Sequence, residues 1–143
     1  MYLVELYELI EKGEGLNTEF KRKFTTPEKI AKEITAFANT SGGVILIGVD
    51  DDKTIYGIES EKEEMELIST AAKFYCEPEV LFDSEILYIK NKDVVVITIP
   101  ESKSKPHRIV SEDENENGKV YVRFNDKSII ASKEAEKILR SSS

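Results

Sequence analysis

Glu14, Glu19 and Asp50 are the residues whose types and spacing allow joint chemistry. Glu14 sits between Gly13 and Gly15, on a loop. Glu19 lies in the alternating stretch that follows, and Asp50 ends a long apolar run. If the strands bearing Glu19 and Asp50 are neighbours, the carboxylates converge. Carboxylates repel phosphates, so such a set serves a phosphate-bearing ligand when a hard divalent cation bridges the two. Mg²⁺ and Mn²⁺ prefer oxygen ligands of this kind. A cation so held orients water and stabilises charge in phosphodiester cleavage. The plainer reading of the same residues is solvated or capping carboxylates in turns.

Cationic side chains form a second set. Lys21, Lys23, Lys29 and Lys32 are candidates for one edge of a phosphate-binding groove, and Lys103, Lys105, Arg108 and Arg123 for the other. Lys and Arg contacts to phosphates position a strand without reading its sequence. The loop from Lys103 to Arg108 is long enough to fold over a ligand. Tyr56 and Tyr121 are candidates for base stacking, with core packing the plainer role. His107, in a Lys/Arg loop, reads as a surface residue or a phosphate contact rather than a catalytic base. No Ser-His-acid set is identified around this single histidine. One Cys and one His cannot supply a zinc site. There is no G-x-x-x-x-G-K-S/T loop and no G-x-G-x-x-G turn, which argues against P-loop and Rossmann chemistry.

The elements that position these residues follow from periodicity. Tyr2 to Lys12 predicts a helix with Leu3, Leu6, Tyr7 and Ile10 on one face. Asn17 to Phe24 predicts a strand with Thr18, Phe20 and Phe24 buried and Glu19, Lys21 and Lys23 on a charged face. Thr26 as N-cap and Pro27 as first helical residue open a helix striped with Ile30, Ile34, Phe37 and Ala38. Gly42 and Gly43 end it and lead into Gly43 to Val49, an apolar run read as a strand covered on both faces. Asp50 to Lys53 turns the chain, and Thr54 to Ile58 predicts a hairpin partner with Gly57 at a close approach or bulge. Glu61 to Tyr75 predicts a helix closed by Pro78. Glu79 to Ile89 and Val94 to Ile99 predict two strands about a Lys90 to Asp93 turn, the second of them central. Ser111 to Gly118 reads as a flexible hairpin tip and Lys119 to Phe124 as a strand. Ser132 caps a last short helix before a frayed Ser141 to Ser143. The pattern predicts an α+β fold with a mixed, largely antiparallel sheet and packed helices.

At 143 residues, the chain fits a single domain spanning 1–143, with a ragged tail at 141–143. No apolar run approaches the length of a membrane span, and the N-terminus does not read as a signal peptide. Cys76 is the lone cysteine, read as a small buried hydrophobe in a reducing cytoplasmic setting. The net charge of −8 disfavours indiscriminate nucleic-acid binding, but base and acid are segregated along the chain, so a local positive groove remains compatible with it.

In order, Glu14-x4-Glu19-Phe-Lys, Ala36-Phe-Ala-Asn-Thr-Ser-Gly-Gly43, Leu46-Ile-Gly-Val-Asp50, Gly57-Ile and Tyr121-Val-Arg123 resemble the Schlafen/Alba-type domain family. The resemblance runs from about Glu5 to Leu139, with Pro78, Lys105-Pro-His107 and Ala131-Ser-Lys-Glu134 at comparable places. It implies an α+β domain that binds nucleic acid, DNA or RNA, as a DNA-binding regulator of transcription. No cofactor is implied for binding alone. An ATPase label carried by some relatives has no phosphate loop to support it here. In the vertebrate Schlafen branch a related domain cuts tRNA and rRNA at a metal-dependent, three-carboxylate site. The matching positions are Glu14, Glu19 and Asp50, with Mg²⁺ or Mn²⁺ as the implied metal. Those nucleases fuse two lobes into a cleft, which a homodimer of this shorter chain would rebuild. An acidic protein-interaction domain is the third reading.

Overall fold

The fold, taken from a computed structural model, is described for residues 1–142. Its elements in chain order are α1 (Leu3–Lys12), β1 (Thr18–Lys21), α2 (Pro27–Asn39), β2 (Gly43–Ile47), α3 (Glu61–Phe74), β3 (Cys76–Glu77), β4 (Asp83–Ile89), β5 (Lys92–Ile99), β6 (Arg108–Ile109), β7 (Tyr121–Phe124), β8 (Lys127–Ile130) and α4 (Lys133–Ser141). The main sheet has the order β1-β2-β5-β4. β1 runs parallel to β2, and the other pairings are antiparallel. β3 pairs with β6 and β7 with β8 in separate ribbons. This is the expected α+β architecture with a mixed, largely antiparallel sheet.

Side-chain alternation builds two cores on one sheet. Ile45 and Ile47 of β2, with Val95, Ile97 and Ile99 of β5, face α2 and α3. Leu46, with Val94, Val96 and Phe20, faces Leu6 and Ile10 of α1. A strand buried on both faces has no reason to alternate, hence the continuous apolar run. The helix starts follow their capping chemistry. Thr26 Oγ1 accepts the Lys29 N–H at 3.3 Å, and Ser60 and Ser132 do the same for Glu63 and Ala135.

The α2–β2 junction is crowded. Gly42 has φ +72°, and a Cβ there would sit 2.7 Å from the Ile99 carbonyl oxygen. A Cβ on Gly43 would meet the Phe37 ring and the Asn17 carbonyl. Only glycine lets the helix turn into the strand at this separation. Asn39, fully buried at the end of α2, donates to the carbonyls of His107 and Tyr121 and accepts the His107 N–H. It thereby ties α2 to the later part of the chain.

Several expectations need correction. Thr54 to Ile58 forms no strand: Ile55 makes one isolated bridge to Val49, and the N–H groups of Tyr56 and Gly57 both converge on the Gly48 carbonyl. The positive φ angles at Gly48 and Gly57 bend the chain out of any ladder. Residues 79–82 lie outside β4, because Val80 N–H is taken by the Ala72 carbonyl beside α3. β1 covers Thr18–Lys21 rather than Asn17 to Phe24, and β7 starts at Tyr121. β8 was not expected, although the Asn125–Asp126 turn, with Asn125 at φ +55°, is a readable hairpin signal. α4 continues through Ser141, and Ser143 lies outside the described residues.

Candidate carboxylate site and its cationic rim

β1 alternates such that Phe20 enters the α1-side core and Glu19 the opposite face, beside Ile45 on β2 and below α2. Glu19 is therefore 7% exposed rather than on a charged, solvated face. Its partner is Arg123 of β7, whose guanidinium lies 2.9 Å from Glu19 Oε1 and 3.9 Å from Glu33 Oε1 of α2. The same guanidinium donates to the carbonyls of Gly15 (2.6 Å), Leu16 (3.2 Å) and Thr18 (3.4 Å) and to Ser128 Oγ. It also lies over the Phe37 ring, 4.4 Å from its centroid. Arg123 is thus a buried clamp that fixes the loop presenting Glu14. It does not line an open groove.

Gly13 turns the chain out of α1 with φ +88°. Glu14 then folds back, and its Oε2 accepts the Phe20 N–H at 3.0 Å. The 50–53 turn reaches the same place. Lys53 Nζ donates to the Glu11 carbonyl, drawing the turn onto the end of α1. Within that turn Asp50 is committed locally: its N–H donates to Thr54 O and its Oδ1 accepts the Asp51 N–H, both at 2.9 Å. Asp51 is the residue that joins the cluster. One carboxylate oxygen from each of Glu14, Glu19 and Asp51 lies within 4.8 Å of the others. The third carboxylate is therefore the neighbour of the one expected. Three consecutive aspartates carry no sequence signal for which of them points inward.

The electrostatics follow from this crowding. Burial raises Glu19 to about 8, with the hydrogen bond shared with Glu14 and the Glu33 charge acting in the same direction, while Arg123 opposes them. Burial raises Asp51 as well, reinforced by the charges of Glu14 and Asp50. Lys21, 3.2 Å from Glu33 Oε2, would be lowered by burial, but the Glu33 and Glu19 charges hold it above its ordinary value. Mutually repelling carboxylates already oriented by Phe20 N–H and Arg123 fit a hard divalent cation. Glu14, Glu19 and Asp51 would hold it, and the ion would supply a polarised water and a charge clamp for phosphate oxygens.

A sequence model of the family described as Schlafen, AlbA_2 matches residues 14–132. The chain belongs to that family. Two solved structures share the fold of this Schlafen/AlbA_2 domain. The DIP2311 protein from Corynebacterium diphtheriae is 18% identical with a TM-score of 0.65, the match covering 90% of this chain and 24% of that one. The chain thus spans about a quarter of that protein's length. The N-terminal domain of a protein from Nitrosomonas europaea, described as related to the ATP-dependent DNA helicase RecG, is 20% identical with a TM-score of 0.62. There the match covers 91% of this chain and 90% of the domain.

The cationic candidates of the Schlafen/AlbA_2 domain separate into two groups. Lys23, Lys29 and Lys32 are exposed around the end of β1 and the start of α2, with Lys21 half-buried beside them. Arg22 joins them, its guanidinium 3.9 Å from the centroid of the exposed Tyr56 ring. On the other proposed edge Lys103 is exposed. Lys105 pairs with Glu101, and Arg108 with Glu136 while also donating to the Gly118 carbonyl. Tyr121 is buried, with its hydroxyl on Glu116. Cys76 is buried, and burial raises its thiol to about 12, as suits a core residue. His107 is 3% exposed, contrary to the surface role expected of it. Among the described residues no helix is long and apolar enough to cross a membrane.

Proposed function

We propose that this domain binds nucleic acid through the rim formed by Arg22, Lys23, Lys29 and Lys32, in the manner of a DNA-binding regulator of transcription. One observation carries the reading. Glu19 is compensated by Arg123 and Glu33 by Lys21 and Arg123, while Arg22, Lys23, Lys29 and Lys32 remain exposed, with Glu59, Glu63 and Glu64 sharing the cavity wall of Arg22 and Lys23. The cations are thus clustered at one edge of a chain whose net charge is −8. Membership in the Schlafen/AlbA_2 family supports a nucleic-acid ligand. The helicase-related description of the Nitrosomonas protein agrees with it.

The test is binding of labelled tRNA, single-stranded DNA and duplex DNA at increasing salt. Lys23→Glu combined with Lys29→Glu is expected to weaken binding by about tenfold or more and to flatten the salt slope by roughly one unit per lost phosphate contact. Both side chains are exposed, so the fold should be undisturbed. Unchanged affinity in the double variant would remove this rim from the proposal. A second reading, metal-dependent RNA cleavage, is favoured by the convergence of Glu14, Glu19 and Asp51. It expects tRNA cut with Mn²⁺, intact with EDTA, and intact with Glu19→Gln. Cleavage that survives both would argue against it.

A further inference from the structure

His107 precedes β6, far in sequence from the carboxylates. Its ring lies between two oxygens: Nδ1 is 2.7 Å from the Pro78 carbonyl and Nε2 is 2.6 Å from Ser102 Oγ. A carbonyl oxygen only accepts, so Nδ1 carries the proton and Nε2 presents a lone pair. Ser102 Oγ also accepts the Ser104 N–H at 2.9 Å, which directs its own hydrogen to Nε2. The histidine backbone is held on both sides by Asn39, which accepts its N–H at 2.7 Å and donates to its carbonyl at 3.1 Å. Burial lowers the imidazole pKa, opposed by the Pro78 carbonyl, so the ring is neutral at neutral pH. A nucleophile, a base and an orienting acceptor thus stand in line, with a main-chain carbonyl in the orienting place.

The pair opens on a cleft of about 320 Å³ between the loops bearing Pro78 and Pro100. Leu81 and the two prolines give it apolar walls, and Lys103 stands beside the serine. That volume suits a small ligand. We infer that this cleft is an acyl-transfer site in which Ser102 is the nucleophile and His107 the general base toward small carboxylic esters. Ser102 Oγ attacks the ester carbonyl carbon as its proton passes to Nε2. The tetrahedral adduct collapses, the carbon–alkoxide bond breaks, and the alcohol leaves with the proton from Nε2. Water, deprotonated by the same nitrogen, then attacks the acyl-serine and returns the hydroxyl and a carboxylic acid. This site is separate from the carboxylate cluster and does not depend on the nucleic-acid reading.

The test uses a fluorophosphonate, whose phosphorus accepts Ser102 Oγ as fluoride leaves, followed by intact mass and peptide mapping. The wild type should gain one adduct, on Ser102, and release a burst of p-nitrophenolate from p-nitrophenyl acetate. Ser84→Ala, at an exposed serine of β4 outside the cleft, should label at the wild-type rate, and Ser102→Ala should gain no adduct. His107→Gln should label about 100-fold more slowly or worse, with cooperative unfolding retained. Should that variant fail to fold, the wild-type pH profile decides. A neutral His107 gives a labelling rate that is flat above neutrality and falls in acid, in a cleft whose other charged groups are Glu79, Glu101 and Lys103. A rate that climbs steadily with hydroxide overturns the proposal. So does absence of the adduct or the burst, an adduct on another residue, or full-rate labelling of a folded His107→Gln.

Discussion

Replacing Arg123 with alanine should destabilise the domain by about 3–5 kcal/mol above pH 8, where Glu19 is ionised and the contact is a buried ion pair. The side chain is fully buried, and its loss strands Glu19 together with three loop carbonyls and leaves Glu33 with Lys21. It also removes a cation from the Phe37 ring. Urea denaturation would measure the loss. Combining Arg123→Ala with Glu19→Ala should cost less than the sum of the single substitutions, because Glu19 then no longer needs a partner. A loss below about 1 kcal/mol, or strict additivity, would mean that the Gly15–Thr18 loop holds its place without the clamp. Arg123→Lys is a poor rescue, since an ammonium cannot serve carbonyls and a carboxylate in one plane.

The second large effect concerns pH and metal. Glu19 titrates near 8 in the folded protein and in the ordinary carboxylate range when unfolded. The folded state therefore retains a proton that the unfolded chain has released. By linkage this contribution to stability is fully present below about pH 4.5 and is lost as pH rises to about 8. Asp51, also raised, adds in the same direction. The melting temperature should accordingly fall between pH 5 and pH 8, more in the wild type than in Glu19→Gln, which carries no such titration. Added Mn²⁺ replaces the proton with a cation, so it should raise the melting temperature at pH 8 and have little effect at pH 5. At a concentration 100 times its dissociation constant the gain is about 2.7 kcal/mol. A pH slope identical in Glu19→Gln would show that Glu19 is not the titrating group. A melting temperature unmoved by Mn²⁺ at pH 8 would show that the three carboxylates do not hold the ion.

The elements of the site were largely legible in the residue pattern. Phe20 reports burial through alternation, Ile45 to Ile47 through an unbroken apolar run, and Thr26-Pro27 and Gly42-Gly43 report where α2 begins and ends. Glu14 and Glu19 stood out because the glycines beside one and the strand phase of the other restrict where they can lie. Asp51 was not legible. Asp50, Asp51 and Asp52 are chemically identical, and the choice among them depends on a backbone bond from Asp50 to Thr54 and on Lys53 reaching the end of α1. Ser102 and His107 were missed for a related reason. The serine, the histidine and the Pro78 carbonyl come from two loops, and a carbonyl has no side-chain signature in a sequence.

Local physics in the chain set the helix starts, the turn glycines, the two-faced strand and the α+β class, because each depends on neighbours a few residues apart. The fate of the charges was decided at longer range. Arg123 reads as a surface cation within Tyr-Val-Arg-Phe, yet it is buried because β7 packs on α2 and brings it to a carboxylate 104 residues away. Lys23 and Lys29 remain exposed because no later segment covers them. A side chain's charge is written in its residue type. Whether that charge is offered to a ligand or consumed inside the protein depends on which distant backbone folds over it.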